Sequence, residues 1–193
     1  MTVLILGLVL FLGPHSVRIV ADPWRTQMRQ RLGEAPWKGL YSLVSLLGFG
    51  LIIWGYALAR AQPVVLWQPP VAMRHMASLF TLLAFILVTA AYVPGNSIKA
   101  WLHHPMILGV KLWAFAHLLA NGMLADLVLF GAFLLWAVLD YRAARQRDRA
   151  QGISYPPGTL GRSVLAIVGG TALWAAFAFW LHRAWIGVAP FGG

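Results

Sequence analysis

Six apolar segments, each about as long as a membrane-spanning helix, follow one another along this chain. They cover about residues 2–20, 40–59, 76–93, 104–120, 123–141 and 163–182. The hydrocarbon core of a bilayer is roughly 30 Å thick, and an α-helix of about 20 apolar residues crosses it. We therefore predict an all-α, polytopic membrane protein in which residues 1–193 form one bundle of six transmembrane helices.

Composition supports the membrane class and limits the chemistry. Hydrophobic residues make up 60% of the chain and charged residues 10%, whereas charged residues are about 25% of a soluble domain. The net charge of +10 comes from basic residues between the apolar segments, so we attribute it to membrane orientation and predict no nucleic-acid binding. Because cysteine is absent, a metal ion would need histidine, carboxylate or backbone ligands.

The distribution of basic residues predicts the orientation of the chain. Of the 15 Lys and Arg residues, eleven lie in the first, third and fifth connections, three lie in the other connections and the tail, and Lys111 lies within a segment. Basic residues are enriched on the cytoplasmic side, so both termini are predicted to lie outside the cytoplasm. No basic residue precedes the first apolar segment, and we therefore interpret it as a transmembrane helix rather than a cleavable signal peptide.

The fourth segment, residues 104–121 with the sequence HPMILGVKLWAFAHLLAN, carries two histidines and a lysine at membrane depth. Ionisable residues are costly there and are usually functional. Trp113, His117 and Asn121 recur every four residues and form one ridge of a helix. His104 and His117 are 13 residues apart, which separates them by about 20 Å and roughly 220° around a helix, so they cannot bind one metal ion.

A turn is predicted where the fourth segment ends at Asn121 and Gly122. If the turn makes a tight helical hairpin, Asp126 lies level with His117. The Asp126 carboxylate would then accept the second imidazole hydrogen and orient the ring, as acidic residues do for metal-bound histidines. In the alternative, Asp126 only caps its helix or faces water near the outer surface.

Three stretches carry a resemblance to a known family: HPMILGVKLWAFAHLLANG, LFLGPHSVR and LYSLVSLLGFGLIIWGY. Together they resemble the NnrU family of bacterial membrane proteins. That family is associated with denitrification and nitric oxide metabolism, and it is related to the zeta-carotene cis/trans isomerase of plants and cyanobacteria, a haem b enzyme. The resemblance covers about residues 1–145 and is most specific over residues 104–122.

The resemblance implies a haem b-binding protein of the bacterial inner membrane, with both termini periplasmic by the charge pattern. The two axial iron ligands it implies match His15 and His117. Lys111 would either bind a haem propionate or another anionic group, or extend toward the cytoplasmic interface. Arg18 would meet a propionate at the cytoplasmic surface, or pair with Asp22 four residues later.

Depth in the membrane leaves other histidine pairs open. In the predicted topology His15 lies on the cytoplasmic side of its segment and His117 nearer the outer end, an offset of roughly 10–15 Å at 1.5 Å per residue. Pairs at matched depth are His75 with His117, and His15 with His104. His75 and His104 also open the third and fourth segments, where a histidine is often interfacial or lines an access route.

The two remaining histidines are placed outside the site. His103 is adjacent to His104 and points elsewhere on a helix. His182 stands beside Arg183 at the end of the last segment and is predicted to be interfacial.

Three functions remain open at the level of sequence. The first is a haem protein that serves nitrogen-oxide respiration together with respiratory or nitrogen-oxide reductase components. The second is a haem-dependent isomerase of a hydrophobic polyene, and the third is a cofactor-free assembly factor for a respiratory complex. The chain has neither a Gly-x-Ser-x-Gly motif nor a phosphate-binding loop, so if it is an enzyme, the chemistry should be that of the cofactor.

Overall fold

The computed structural model describes residues 1–191, and these residues are mainly helical. The helices are α1 (Thr2–Val20), α2 (Asp22–Leu32), α3 (Glu34–Ala61), α4 (Val71–Tyr92), α5 (Ser97–Leu102), α6 (Pro105–Ala120), α7 (Leu124–Ala150), α8 (Leu160–Ala176), a π-helical turn (Phe177–Leu181) and α9 (His182–Ile186). Between residues 1 and 191 the chain forms no strand, and two isolated β-bridges join connecting segments.

Five helices are long and apolar enough to cross a membrane: α1, α3, α4, α7 and the continuous helix Leu160–Ile186 that joins α8, the π-helical turn and α9. The sixth predicted segment forms α6, which is apolar but has only 16 residues. At 1.5 Å per residue such a helix is about 24 Å long, shorter than a typical hydrocarbon core. The predicted all-α membrane class is thus confirmed, and the count of six depends on this short helix.

Close approach of α1 and α3 depends on small residues. A Cβ atom on Gly48 would lie 2.6 Å from the backbone nitrogen of Phe11, so the two backbones touch where the sequence has glycine. Small residues at helix crossings are the usual means of tight packing in membranes. The helix α7 packs against this pair, and the shared core contains Leu4, Ile52 and Phe130.

The helix α6 lies between two groups of helices. It packs on α4, which in turn packs on α8, and its other side packs on α7. Pro105 begins α6, where the missing N–H costs nothing, and the helix ends at Ala120. Because α6 and α8 both pack on α4, side chains of α6 can face the space beside α4 and α8.

Contacts between helix termini define one end of the bundle. A guanidinium Nη1 of Arg147 donates to the carbonyl of Arg18 at 3.0 Å, which joins the ends of α7 and α1. The Nε2 atom of His104 lies 2.8 Å from Asp148 Oδ2, which joins the start of α6 to the end of α7. We call this the basic end, since the connections with most of the basic residues meet there.

The opposite end holds the α3–α4 and α6–α7 connections. The Leu66 N–H donates to the carbonyl of Gly122 at 2.8 Å, and a Cβ on Gly122 would overlap the carbonyl oxygen of Trp67. Arg60 Nη1 also donates to the carbonyl of Ile186 at 2.9 Å, which joins the ends of α3 and α9. Only glycine fits at position 122 in this closed turn.

Candidate functional site

A cavity of about 450 Å³ lies between α4, α6 and the last membrane-spanning helix. Its walls are mainly apolar and aromatic. Apart from two tryptophans, the charged and hydrogen-bonding side chains in its lining are Arg74, Ser78, Thr81, His117, Asn121 and His182. Ligand sites are commonly apolar clefts of about 300–1,000 Å³ with a few polar groups, so this cavity is the candidate site.

The ring of His117 is fixed from two sides. Its Nδ1 atom lies 2.8 Å from the carbonyl oxygen of Trp113. Because a carbonyl only accepts, Nδ1 carries the hydrogen, and in the neutral imidazole Nε2 then keeps its lone pair. The ring also stacks on Phe130, with centroids 4.5 Å apart and planes inclined by 25°. Nε2 makes no hydrogen bond to residues 1–191, so it is an available metal ligand.

Asn121 fixes the end of the helix that carries His117. Its backbone N–H and its side-chain Nδ2 both donate to the carbonyl of His117, at 3.0 and 2.9 Å. The side chains of Trp113, His117 and Asn121 are therefore linked along one ridge of α6, as their spacing indicates. Asn121 contributes by holding the backbone, while its side chain also borders the cavity.

The predicted contact of Asp126 with the His117 ring is corrected by the structure. Asp126 is 3% exposed. Its Oδ1 accepts from the Tyr56 hydroxyl at 2.5 Å, and its Oδ2 accepts from the Met123 N–H at 3.0 Å. The His117 Nδ1–H donates instead to the carbonyl four residues earlier, which is nearer than the next helix. Asp126 thus caps α7, which is the alternative that the sequence left open.

The ring of His15, like that of His117, is hydrogen-bonded to the carbonyl four residues earlier, but it lies outside the cavity. Its Nδ1 atom lies 2.6 Å from the carbonyl of Phe11, and its ring stacks on Phe11 with centroids 4.5 Å apart. Tyr41 and Trp136 complete an aromatic surround at centroid distances of 5.1 and 6.0 Å. His15 is not part of the cavity lining.

Aromatic rings lie between His15 and His117. The ring of Phe11 is 5.8 Å from Phe133, and Phe133 is 5.5 Å from Trp113. Trp113 is in turn 5.2 Å from His117. The structure thus places the two histidines in separate aromatic environments, and their joint ligation of one iron stays a prediction.

His104 belongs to a hydrogen-bonded cluster at the basic end. Its Nε2 bonds to Asp148, which also accepts from the Tyr155 hydroxyl at 3.1 Å. His103 adopts a positive φ of 67°, and its ring meets Tyr155 at a centroid distance of 4.2 Å. The Nε2 atom of His104 is therefore used by a carboxylate.

Burial shifts the pKa values of two side chains in this cluster. Burial lowers the pKa of His103, and the positive charge of Arg145 adds to that effect. Burial also raises the pKa of Tyr155, with a further rise from its hydrogen bond to Asp148. Both shifts favour the uncharged form of the side chain.

The other predicted site residues lie apart from the cavity lining. His75 is exposed near the start of α4, although its neighbour Arg74 borders the cavity. Lys111 is half-buried on α6 and makes no hydrogen bond to residues 1–191. Arg18 lies 3.9 Å from Asp22, which is the ion pair predicted at that spacing.

Sequence reasoning did not identify Arg74 or His182 as site residues, yet both border the cavity beside His117. Arg74 is exposed near the start of α4. Its place in the sequence, next to His75, does not indicate that it borders a site. His182 was predicted to be interfacial. The π-helical turn that precedes it has no recognisable sequence pattern, so the face it presents could not be inferred from spacing.

The lining fits a haem better than a bare metal ion. Among residues 1–191 no group of three or more His, Asp or Glu side chains is arranged to hold a metal ion. Haem iron already has four porphyrin nitrogens, so one or two histidines from the protein suffice. The cavity provides an unengaged His117 Nε2, apolar and aromatic walls, and the Arg74 guanidinium for a carboxylate.

Fold and site together define a polytopic helical membrane protein with a histidine-bearing cavity between its helices. Comparison with protein families gives a match to the NnrU protein family over residues 3–190. The chain therefore belongs to the NnrU family, and the likeness extends beyond the residues that first indicated it. Neither curated proteins nor solved structures give a significant match.

Proposed function

We propose that this NnrU family protein binds haem b in the cavity, with Nε2 of His117 as a ligand of the iron. The observation that carries the proposal is the His117 ring itself, whose Nδ1–H is bonded to Trp113 while Nε2 is unengaged at the cavity. Metal-bound histidines characteristically donate the other ring hydrogen to a carbonyl or carboxylate. A haem held there would supply electron transfer or the binding of a small gas such as nitric oxide.

The surrounding residues would each perform a defined task for that group. Trp113 fixes the His117 tautomer through its carbonyl, and Phe130 holds the ring plane by stacking. The aromatic and aliphatic walls would exclude water from a bound haem. Arg74 would bind an anionic propionate, since a guanidinium forms paired hydrogen bonds with a carboxylate.

The proposed setting is the bacterial inner membrane, with both termini periplasmic. Support comes from the basic end, where the connections that contain eleven Lys and Arg residues meet. By the positive-inside rule that end faces the cytoplasm, and the cavity then opens near the periplasmic side. In this position the protein would act in nitric oxide metabolism beside respiratory or nitrogen-oxide reductase components.

The proposal is tested by the colour of the purified protein. Wild-type protein is expressed with ample haem precursor, purified in detergent, and assayed by its Soret band and by conversion to the pyridine haemochrome. We expect haem b in stoichiometric amount. Colourless protein recovered under these conditions contradicts the proposal and favours a cofactor-free assembly factor, in which the histidines only serve internal contacts such as that of His104 with Asp148.

A second function, isomerisation of a hydrophobic polyene, is favoured by the apolar aromatic walls that His117 shares with Trp113 and Phe177. Such a substrate would occupy the cavity beside the haem rather than replace it. Co-purification of an isoprenoid with the coloured protein, and its loss when Ala178 is replaced by a larger residue, would support this activity. Absence of any such lipid from coloured protein argues for the electron- or gas-binding function.

A further inference from the structure

The last membrane-spanning helix changes its winding directly before a histidine. Residues Phe177–Leu181 form a π-helical turn, and His182 follows it. A π-turn accommodates an extra residue and so rotates the side chains that follow, and such turns are frequent at functional sites. Here Phe177, Ala178 and His182 all border the cavity that contains His117.

The ring of His182 is prepared in the same way as the ring of His117. Its Nδ1 atom lies 2.7 Å from the carbonyl of Val188, so Nδ1 carries a hydrogen, and in the neutral imidazole Nε2 keeps the lone pair. The chain after α9 reaches back to form this bond through Gly187, whose φ of 77° favours glycine. His182 Nε2 makes no hydrogen bond to the described residues.

The two histidines also lie at the same end of the bundle. His117 stands near the end of α6 at Ala120, and His182 stands near the end of the last helix at Ile186. Both helices begin at the basic end, since α6 starts beside Asp148 and α8 starts beside Asn96, which caps α5. Both histidines border one cavity, whereas His15 lies outside its lining.

We propose that His182 is the second imidazole of the cavity and that His117 and His182 together bind the haem iron. The inference rests on the proposed function and assigns the ligand pair within it. Arg74, near the start of α4 and in the same lining, supplies the positive charge for a propionate at that end. His15, which is outside the cavity lining, then serves α1 and its aromatic neighbours and not the iron.

The ligand pair is tested by absorption and electron paramagnetic resonance spectra of purified haem-loaded protein. Wild type is compared with His182→Ala, His15→Ala and His75→Ala, the last as a control because His75 is exposed and absent from the lining. We expect a low-spin spectrum in wild type, His15→Ala and His75→Ala. In His182→Ala we expect a high-spin spectrum, which added imidazole returns to low spin.

Two results overturn the inference while leaving the proposed function intact. One is coloured His182→Ala with an unchanged low-spin spectrum, and the other is a change in His182→Ala that imidazole does not restore. A low-to-high-spin change in His15→Ala but not in His182→Ala would return the second ligand to His15. Colourless wild type, by contrast, defeats the proposed function itself.

Discussion

The Nδ1–H of His117 donates to the carbonyl oxygen of Trp113 at 2.8 Å, one helical turn earlier on α6. This bond fixes the hydrogen on Nδ1, the nitrogen that faces the helix, and leaves Nε2 as the ring nitrogen that could bind a metal ion. Phe130 stacks on the ring and limits its rotation. The cavity chemistry proposed above depends on this local arrangement.

Replacement of Tyr56 by Phe should destabilise the folded protein by about 1–3 kcal/mol, because Asp126 then keeps a buried carboxylate oxygen without its partner. Thermal unfolding in detergent measures the effect. The matched control is Tyr92→Phe, since Tyr92 is 76% exposed. Equal melting temperatures for the two variants would show that the Tyr56–Asp126 bond does not stabilise the bundle.

Replacement of Gly122 by Ala should lower stability by about 1–3 kcal/mol through overpacking, because the new Cβ would meet the Trp67 carbonyl. Gly131→Ala is the control, since a Cβ there meets nothing within 4 Å and alanine favours a helix. We expect the highest melting temperature for Gly131→Ala, an intermediate one for wild type and the lowest for Gly122→Ala. A Gly122→Ala variant as stable as wild type would refute the closed turn between α6 and α7.

Replacement of His104 by Ala should leave the haem spectrum unchanged and reduce stability by about 1–3 kcal/mol, because Asp148 loses a hydrogen-bond donor. The exposed His75 again provides a control, in which neither property changes. Loss of the low-spin haem signal in His104→Ala would instead support the depth-matched pairing of His15 with His104.

The stabilisation that Tyr155 gives to the basic end should decrease at alkaline pH. Burial and Asp148 raise its pKa above the ordinary value of 10.0, so the stabilisation is complete below about pH 10 and is lost as pH rises from there toward the folded-state pKa. Wild type should therefore melt higher than Tyr155→Phe at about pH 8, and the difference should narrow above about pH 10. A constant difference across that range would contradict the hydrogen bond to Asp148.

The membrane class and the helix that carries His117 could be predicted from the sequence because both depend on local patterns. Apolar length identifies a span, and spacing along a helix aligns Trp113, His117 and Asn121. Partners far apart in the chain leave no such pattern. Tyr56 is 70 residues from Asp126 in the sequence, yet the two side chains are hydrogen-bonded. The predicted contact of Asp126 with His117 rests only on their positions on either side of a turn.

His182 was missed for a related physical reason. A regular helical period assigns each residue a face, and the π-helical turn before His182 changes that period. The backbone bond that orients its ring also comes from Val188, in the segment after the helix. Neither feature is encoded in the residue types near position 182, so the sequence alone predicts only an interfacial histidine at the end of the span.

The haem content of His117→Ala, measured as pyridine haemochrome per purified chain, tests the central claim most directly. His75→Ala, purified in parallel, controls for the loss of an imidazole outside the cavity. We predict that wild type and His75→Ala retain haem b and a low-spin spectrum, whereas His117→Ala loses the haem or becomes high-spin. A His117→Ala protein with wild-type haem content and an unchanged spectrum would contradict the account.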